Sequence, residues 1–260
     1  MLIDTHVHLD DSRYDSDRED MFQRAAQSGV TAFITIGCDL ASSRSAVELA
    51  AGRDQVFAAV GVHPHEAKEI QPDWYPQLQE LAGHAKVVAF GEIGLDFHYD
   101  HSPRDVQRQR FREQIQLAQG LGLPLVIHSR EAKEDTIQIL REEQARDLGG
   151  VFHCFSEDSW LASQALDLGF YLSFSGIITF RNAQALREII PMVPDDRLLI
   201  ETDAPYLTPM PFRGKRNESA YVRLVAEQIA AIKYGDSPTG FKQVAELTTA
   251  NSRRLFKISS

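Results

Sequence analysis

The chain has 260 residues, of which 43% are hydrophobic and 25% charged, and its formal net charge is −10. This is the balance of a folded globular protein, and an overall acidic chain is not expected to bind duplex nucleic acid tightly and nonspecifically, because such binding requires many cations against the phosphates. Apolar runs such as Phe57–Val62 and Leu123–Ile127 are far shorter than the roughly 20 residues of a membrane span, so no membrane-spanning helix is expected.

Short apolar segments alternate with longer segments of helical periodicity along the whole chain. The predicted strands are Leu2–His6, Ala32–Ile36, Val56–Val60, Val87–Gly91, Pro124–His128, Val151–Cys154, Phe170–Phe174 and Leu198–Glu201. The predicted helices lie near Asp17–Ser28, Ser42–Ala51, Asp73–Ala82, Pro103–Leu121, Glu131–Gln144, Ser159–Leu168, Ala183–Ile190, Ser219–Ile232 and Phe241–Phe256.

Several of these strands are apolar throughout rather than alternately, which is typical of a parallel sheet covered on both faces. Eight strand–helix units in a chain of this length predict a single-domain (β/α)8 TIM barrel over residues 1–260. An open, doubly wound sheet is the competing architecture, but it usually has fewer strands and would not gather polar residues from nearly every strand end.

Six of the predicted strands end in, or are directly followed by, side chains that can bind a metal ion. These side chains are His6, His8, His63, Glu92, His128, His153 and Asp203. The C-terminal strand ends of a barrel form one ring, where active sites lie, so we expect these residues to meet. His6 and His8 are two positions apart on an extended segment, point to the same side and could hold one ion together.

The types of these residues indicate which ions could bind. Imidazole and carboxylate donors together suit Zn, Mn or Fe, and less decisively Mg. A carboxylate such as Glu92 can bridge two ions. Asp203 could bind an ion and also accept a proton from the attacking water.

Other polar residues near the strand ends point to a substrate or to a supporting role. Glu201, two residues before Asp203 on the same strand, is predicted to point the same way as Asp203 but to lie deeper in the barrel. There it would orient a metal ligand. We place Glu201 with His63 and Arg130 among the substrate-binding residues. Five cations that could converge on the mouth of the barrel indicate a phosphate ligand. They are Arg130, Arg181, Arg213, Lys215 and Arg216.

The two cysteines, Cys38 and Cys154, show no metal-binding spacing and are typical of buried thiols in a reducing compartment. The first residues have neither the basic region nor the apolar region of a signal peptide. We therefore predict a cytoplasmic protein. Cys154 is predicted to face away from His153 and to lie in the core.

Six motifs, spread in order over nearly the whole chain, resemble those of the TatD-related deoxyribonucleases of the amidohydrolase superfamily. They are Asp4–His8 (DTHVH), Gly61–His65 (GVHPH), Gly91–Asp96 (GEIGLD), Val126–Arg130 (VIHSR), Val151–Ser156 (VFHCFS) and Leu199–Tyr206 (LIETDAPY). The resemblance implies a TIM barrel with a two-metal site. By that similarity, His6 and His8 bind one ion, His128 and His153 bind the other, and Glu92 bridges them. Asp203 would bind the first ion and act as the base, and His63 would contact the scissile phosphate.

The resemblance further implies metal-dependent hydrolysis of phosphodiester bonds, often by exonucleases that act on DNA. We therefore expect a 3′–5′ deoxyribonuclease with two divalent ions per chain, of Mg, Mn or Zn. Its substrate is expected to be single-stranded DNA or DNA ends, with no membrane and no obligate protein partner.

Two alternatives stay open from the residues alone. The same metal site could hydrolyse a carboxylic ester, lactone or amide, for example an aminoacyl ester on tRNA, since activated water serves both reactions. A noncatalytic barrel could instead use its metal for structure or partner recognition, although donors around an open mouth favour a catalytic site.

Overall fold

A computed structural model describes residues 1–258, and its central element is one sheet of eight parallel strands, β1 to β8. The strands span Leu2–Val7, Val30–Ile36, Val56–Val60, Val87–Asp96, Leu125–Arg130, Gly150–Phe152, Tyr171–Phe174 and Leu198–Ile200. Each strand pairs with the next in chain order, and β1 meets the end of β8 through a parallel bridge between Val7 and Ala204. The sheet therefore closes on itself, and the predicted (β/α)8 barrel is confirmed.

The α-helices of the described residues, α1 to α9, connect the strands and follow the last one. They span Arg18–Gln27, Leu40–Ala51, Trp74–Ala82, Arg104–Leu121, Lys133–Glu142, Ser159–Asp167, Gln184–Ile189, Val222–Tyr234 and Gly240–Phe256. Asp39 caps α2 and Asp158 caps α6, each accepting a hydrogen bond from a backbone N–H of the first turn. Within residues 1–258, no helix combines the length and apolarity needed to cross a membrane.

The last helix closes one end of the barrel and leaves the other end open. Ile34 and Leu199, from different strands, belong to a buried apolar cluster that Phe256 at the end of α9 joins. The side chain of Asn251 in the same helix donates to the carbonyl of Leu198, at the start of β8. Because α9 covers the N-terminal strand ends, the C-terminal ends remain available for a site.

Strand β4 is longer than predicted. It was expected to end at Gly91 but continues to Asp96, so Glu92 lies inside the strand rather than at its end. Gly91 and Gly94 have φ angles of 151° and 145°, which only glycine adopts readily, and the register with β5 shifts between Phe90 and Ile93. Gly94 still pairs with His128 of β5, so both strands deliver side chains to the same place.

Candidate metal centre

The C-terminal strand ends open into a cavity of about 930 Å³. Most of the predicted site residues line it: His8, His63, Glu92, His128, Arg130, His153 and Asp203. His6 and Glu201 are fully buried directly behind this wall. The barrel thus brings together residues that are far apart in the sequence.

Glu92 lies at the centre of the site and directs its two carboxylate oxygens at different partners. Its Oε1 is 2.7 Å from His153 Nε2, 2.8 Å from His128 Nδ1 and 3.3 Å from His63 Nε2. Its Oε2 is 3.4 Å from His6 Nε2. Burial alone would raise the pKa of Glu92, but the neighbouring imidazoles, His153 first, hold that pKa well below its ordinary range. Glu92 is therefore an ionised carboxylate placed between two groups of histidines.

Asp203 completes the group on the β1 side of Glu92. Its Oδ1 is 3.4 Å from His8 Nε2 and 3.7 Å from His6 Nε2, and the three side chains could hold one ion together. The backbone N–H of Asp203 donates to the carbonyl of His6 at 2.9 Å, which fixes the carboxylate beside β1. Although burial would raise the pKa of Asp203, the hydrogen bond with His8 and the nearby imidazoles lower it.

His6 shows whether a metal ion would fit these residues. Its ring is completely buried, and neither ring nitrogen has a hydrogen-bond partner among residues 1–258. Burial lowers the pKa of His6, so the ring is neutral. Leaving a buried polar atom unpaired costs about 1–3 kcal/mol, and a divalent ion between His6, Glu92 and Asp203 would remove that cost at Nε2. The donor set therefore fits a metal ion.

Asp96, at the end of β4, supports His128 from behind. Its Oδ2 is 3.1 Å from His128 Nε2 and 2.8 Å from His65 Nε2, which leaves His128 Nδ1 facing Glu92. The buried amide of Gln107 in α4 bonds both the backbone N–H and the carbonyl of Asp96. Sequence reasoning gave Asp96 no role, although the residue closes the GEIGLD motif, because β4 was predicted to end at Gly91.

We expect Asp96→Asn to weaken metal binding by roughly 10- to 100-fold, as is usual when the carboxylate behind a metal-binding histidine is lost. The neutral amide of the variant cannot offer His128 Nε2 the negatively charged acceptor that the Asp96 carboxylate provides. Titration of metal-stripped protein against a competing chelator measures this affinity. Asp100→Asn is the control, because Asp100 lies in the following loop and its side chain pairs only with Arg104 among residues 1–258. An Asp96→Asn protein with unaltered affinity would show that this hydrogen bond does not tune the site.

Glu201 lies behind His153 instead of in the cavity wall. Its Oε1 accepts a hydrogen bond from Cys154 N at 2.7 Å and is 3.3 Å from His153 Nδ1. Because Glu201 is fully buried, its assignment to the substrate-binding residues needs correction, and its position suits the orientation of His153.

The prediction of a core thiol at Cys154 is wrong, since β6 ends at Phe152 and Cys154 turns into the cavity wall.

Of the five cations predicted to converge on the mouth, Arg130 alone lines the cavity. Its guanidinium lies 4.7 Å from the ring centroid of Tyr99, and it forms no side-chain hydrogen bond or ion pair within residues 1–258. Arg216 is instead bound to Asp17 in a bidentate ion pair. The predicted convergence was therefore wrong for the other four, which are Arg181, Arg213, Lys215 and Arg216.

His63 is oriented as a hydrogen-bond donor. Its Nδ1 accepts a hydrogen bond from the backbone N–H of His65 at 3.1 Å, and burial lowers its pKa to about 4. The ring is neutral at pH 7 and must carry its proton on Nε2, which faces Glu92. A protonated Nε2 can donate to a substrate oxygen but has no lone pair to offer an ion.

Comparison with known proteins matches the chain to one family over nearly its whole length. A model of the family described as TatD related DNase matches residues 3–257. A Bacillus subtilis relative, named uncharacterized metal-dependent hydrolase YabD, is 46% identical over 259 residues and 100% of both chains. A Salmonella typhimurium relative, named 3′-5′ ssDNA/RNA exonuclease TatD, is 34% identical over 99% of each chain. The crystal structure of YjjV, a TatD homolog from Escherichia coli, has a TM-score of 0.92 at 31% identity and covers 99% of this chain and 98% of its own.

Proposed function

The chain belongs to the TatD related DNase family of metal-dependent hydrolases, and from that premise we propose that it degrades single-stranded DNA as a 3′–5′ exonuclease. The observation that carries the proposal is the unpaired guanidinium of Arg130 in the same cavity as Glu92. A phosphodiester keeps a negative charge that a guanidinium can pair with, whereas a neutral carboxylic ester or amide does not. The relative named 3′-5′ ssDNA/RNA exonuclease supports the same choice.

Two divalent ions, of Mg, Mn or Zn, would be held by the two groups of histidines. His6, His8 and Asp203 would bind one ion, His128 and His153 the other, and Glu92, which lies between the two groups, would contribute to both. Such ions, when bound, lower the pKa of water and stabilise negative charge on phosphoryl oxygens.

The protein's own groups would position the phosphodiester and move one proton. Asp203, ionised because its pKa is low, accepts a proton from the attacking water as general base. The oxygen of that water forms a bond to phosphorus, and the bond from phosphorus to the 3′ oxygen of the preceding nucleotide breaks. The proton held by Asp203 passes to this 3′ oxygen, which leaves as a hydroxyl group. His63 donates its Nε2 proton in a hydrogen bond to one non-bridging oxygen, and Arg130 pairs with the other.

The preference for chain ends follows from the charges on the β1 side of the cavity. Asp10 lines that side without an ion-pair partner among residues 1–258, and its carboxylate would repel additional phosphates of a strand that continued past the site. A strand that ends in the cavity avoids this repulsion. We therefore propose release of mononucleotides rather than internal cleavage.

The test is digestion of single-stranded DNA, labelled at either the 3′ or the 5′ end, by metal-stripped protein resupplied separately with Mg, Mn and Zn. We expect the 3′ label to be released first as a mononucleotide, only in the presence of an ion. Asp203→Asn should slow release by at least about 100-fold, since it removes the general base.

Inert oligonucleotides under all three ions would refute the nuclease proposal. Cleavage of an aminoacyl ester by the same metal-loaded protein would then identify an ester hydrolase. Release of the 5′ label first would keep the nuclease activity but reverse the proposed polarity.

A further inference from the structure

Two half-exposed tyrosines lie on opposite sides of the cavity. Tyr99 is 51% exposed and Tyr206 is 49% exposed, and both line the cavity. Tyr99 follows β4 and Tyr206 follows β8, which are four strands apart in the eight-strand order. In a closed barrel this places their loops across the mouth from each other, with Glu92 and its histidines between them.

Tyr206 is held beside the β1 group of metal-binding side chains. Its ring makes an edge-to-face contact with His8, with 5.9 Å between centroids, and its backbone N–H donates to the carbonyl of Asp203. The guanidinium of Arg13 lies 4.4 Å from the ring centroid, and two hydrogen bonds to Asp11, of 2.8 and 2.7 Å, fix that guanidinium. These contacts hold the ring beside His8 and Arg13 while about half of the residue stays exposed.

Tyr99 is held in a similar way beside the other group. Its backbone N–H donates to Asp96 Oδ1 at 2.9 Å, and Asp96 is the carboxylate behind His128. The ring lies parallel to that of His101, at an interplanar angle of 2°, and Arg130 covers part of it. Each tyrosine therefore combines a fixed backbone, a nearby arginine and an exposed aromatic surface.

We propose that Tyr99 and Tyr206 stack on the two nucleobases that flank the scissile phosphodiester, one tyrosine on each base. The inference rests on the proposed nuclease function and adds the residues that recognise the substrate. A base stacked on an aromatic side chain gains on the order of ten- to one-hundredfold in binding, with little dependence on its identity. Duplex ends are then poor substrates, because the faces of paired bases are already covered by their neighbours.

Abasic substrates test this directly. Three single-stranded oligonucleotides are compared: one intact, one lacking the 3′-terminal base and one lacking the penultimate base. We expect wild-type protein to prefer the intact strand over each abasic strand by on the order of tenfold in kcat/KM. Tyr206→Ser should lose this preference at one of the two positions and keep it at the other, and Tyr99→Ser should show the reverse.

The ratio of kcat/KM between the intact and abasic strands distinguishes a loss of stacking from a folding defect. A folding defect lowers kcat/KM for all three strands alike and leaves this ratio unchanged. Tyr99→Phe and Tyr206→Phe should keep both preferences, because the ring and not the hydroxyl is required. Trp160→Ser is the matched control: Trp160 is 42% exposed but lies outside the cavity lining, and both preferences should survive.

A second readout does not depend on hydrolysis. In metal-loaded Asp203→Asn protein, the fluorescence of 2-aminopurine at the last or penultimate position should fall on binding, and adding Tyr206→Ser or Tyr99→Ser should abolish the decrease at one position each. Unchanged ratios and unchanged quenching, with the intact strand still degraded, would overturn the stacking inference alone. A wild-type protein that degrades none of the strands would overturn the proposed function and this inference with it.

Discussion

Glu92→Gln is expected to lower the hydrolysis of single-stranded DNA by about a thousandfold or more, because it removes the one carboxylate shared by both histidine groups. Oε1 faces His153 and His128, and Oε2 faces His6. The amide replaces one of these oxygens with a hydrogen-bond donor and deletes the negative charge that two cations would share. The measurements are kcat/KM on a 3′-labelled strand and metal content after dialysis, which we expect to fall below that of the wild type.

Glu66→Gln is the matched control for the loss of charge. Glu66 also lines the cavity but is exposed, and its side chain makes no ion pair or hydrogen bond with the histidines of the site among residues 1–258. Its substitution should leave metal content unchanged. Full metal content in Glu92→Gln, together with a rate close to that of the wild type, would show that Glu92 does not bridge two ions.

The barrel and the positions of its metal-capable residues were predictable because both follow from local sequence patterns. An apolar run that ends in a polar side chain marks the end of a parallel strand, as at His153, which directly follows β6. Closure of the sheet then brings such ends together whatever their separation in the chain. Prediction needed only the number of strands and the residue after each, and no knowledge of which side chains touch.

The supporting contacts were not predictable in this way, because they depend on register and on pairings between distant segments. The role of Asp96 behind His128 depends on β4 extending past Gly91 and staying paired with β5, which the sequence did not predict. Arg216 looked available for a phosphate, yet it is bound to Asp17, 199 positions earlier in the chain. Nothing in the residues around Arg216 indicates that partner.

Gly94→Ala is expected to damage the site without changing any side chain in it. Gly94 has a φ of 145°, and a Cβ at this position would lie 1.9 Å from the carbonyl oxygen of His128. That oxygen belongs to the backbone of β5, so the two strands must move apart. His128 Nδ1 would then leave its position 2.8 Å from Glu92 Oε1.

We expect Gly94→Ala to cost about 3 kcal/mol of unfolding free energy, from strain and overpacking together. In a chain of this size that corresponds to a fall in Tm of roughly 6–12 °C. A displacement of about 1 Å at His128 should also reduce hydrolysis by on the order of 100-fold. Thermal unfolding and kcat/KM on the same preparation measure the two effects.

Gly29→Ala separates the two causes, because Gly29 also has a positive φ, of 88°, but a Cβ there would have no neighbour within 4 Å. This control carries the cost of the backbone conformation alone, about 1 kcal/mol, and leaves the cavity untouched. We expect Gly29→Ala to keep full activity while Gly94→Ala loses it. Equal stability and equal activity in the two variants would mean that β4 and β5 can separate without moving His128, and that close approach of these strands is not what places the metal ligand.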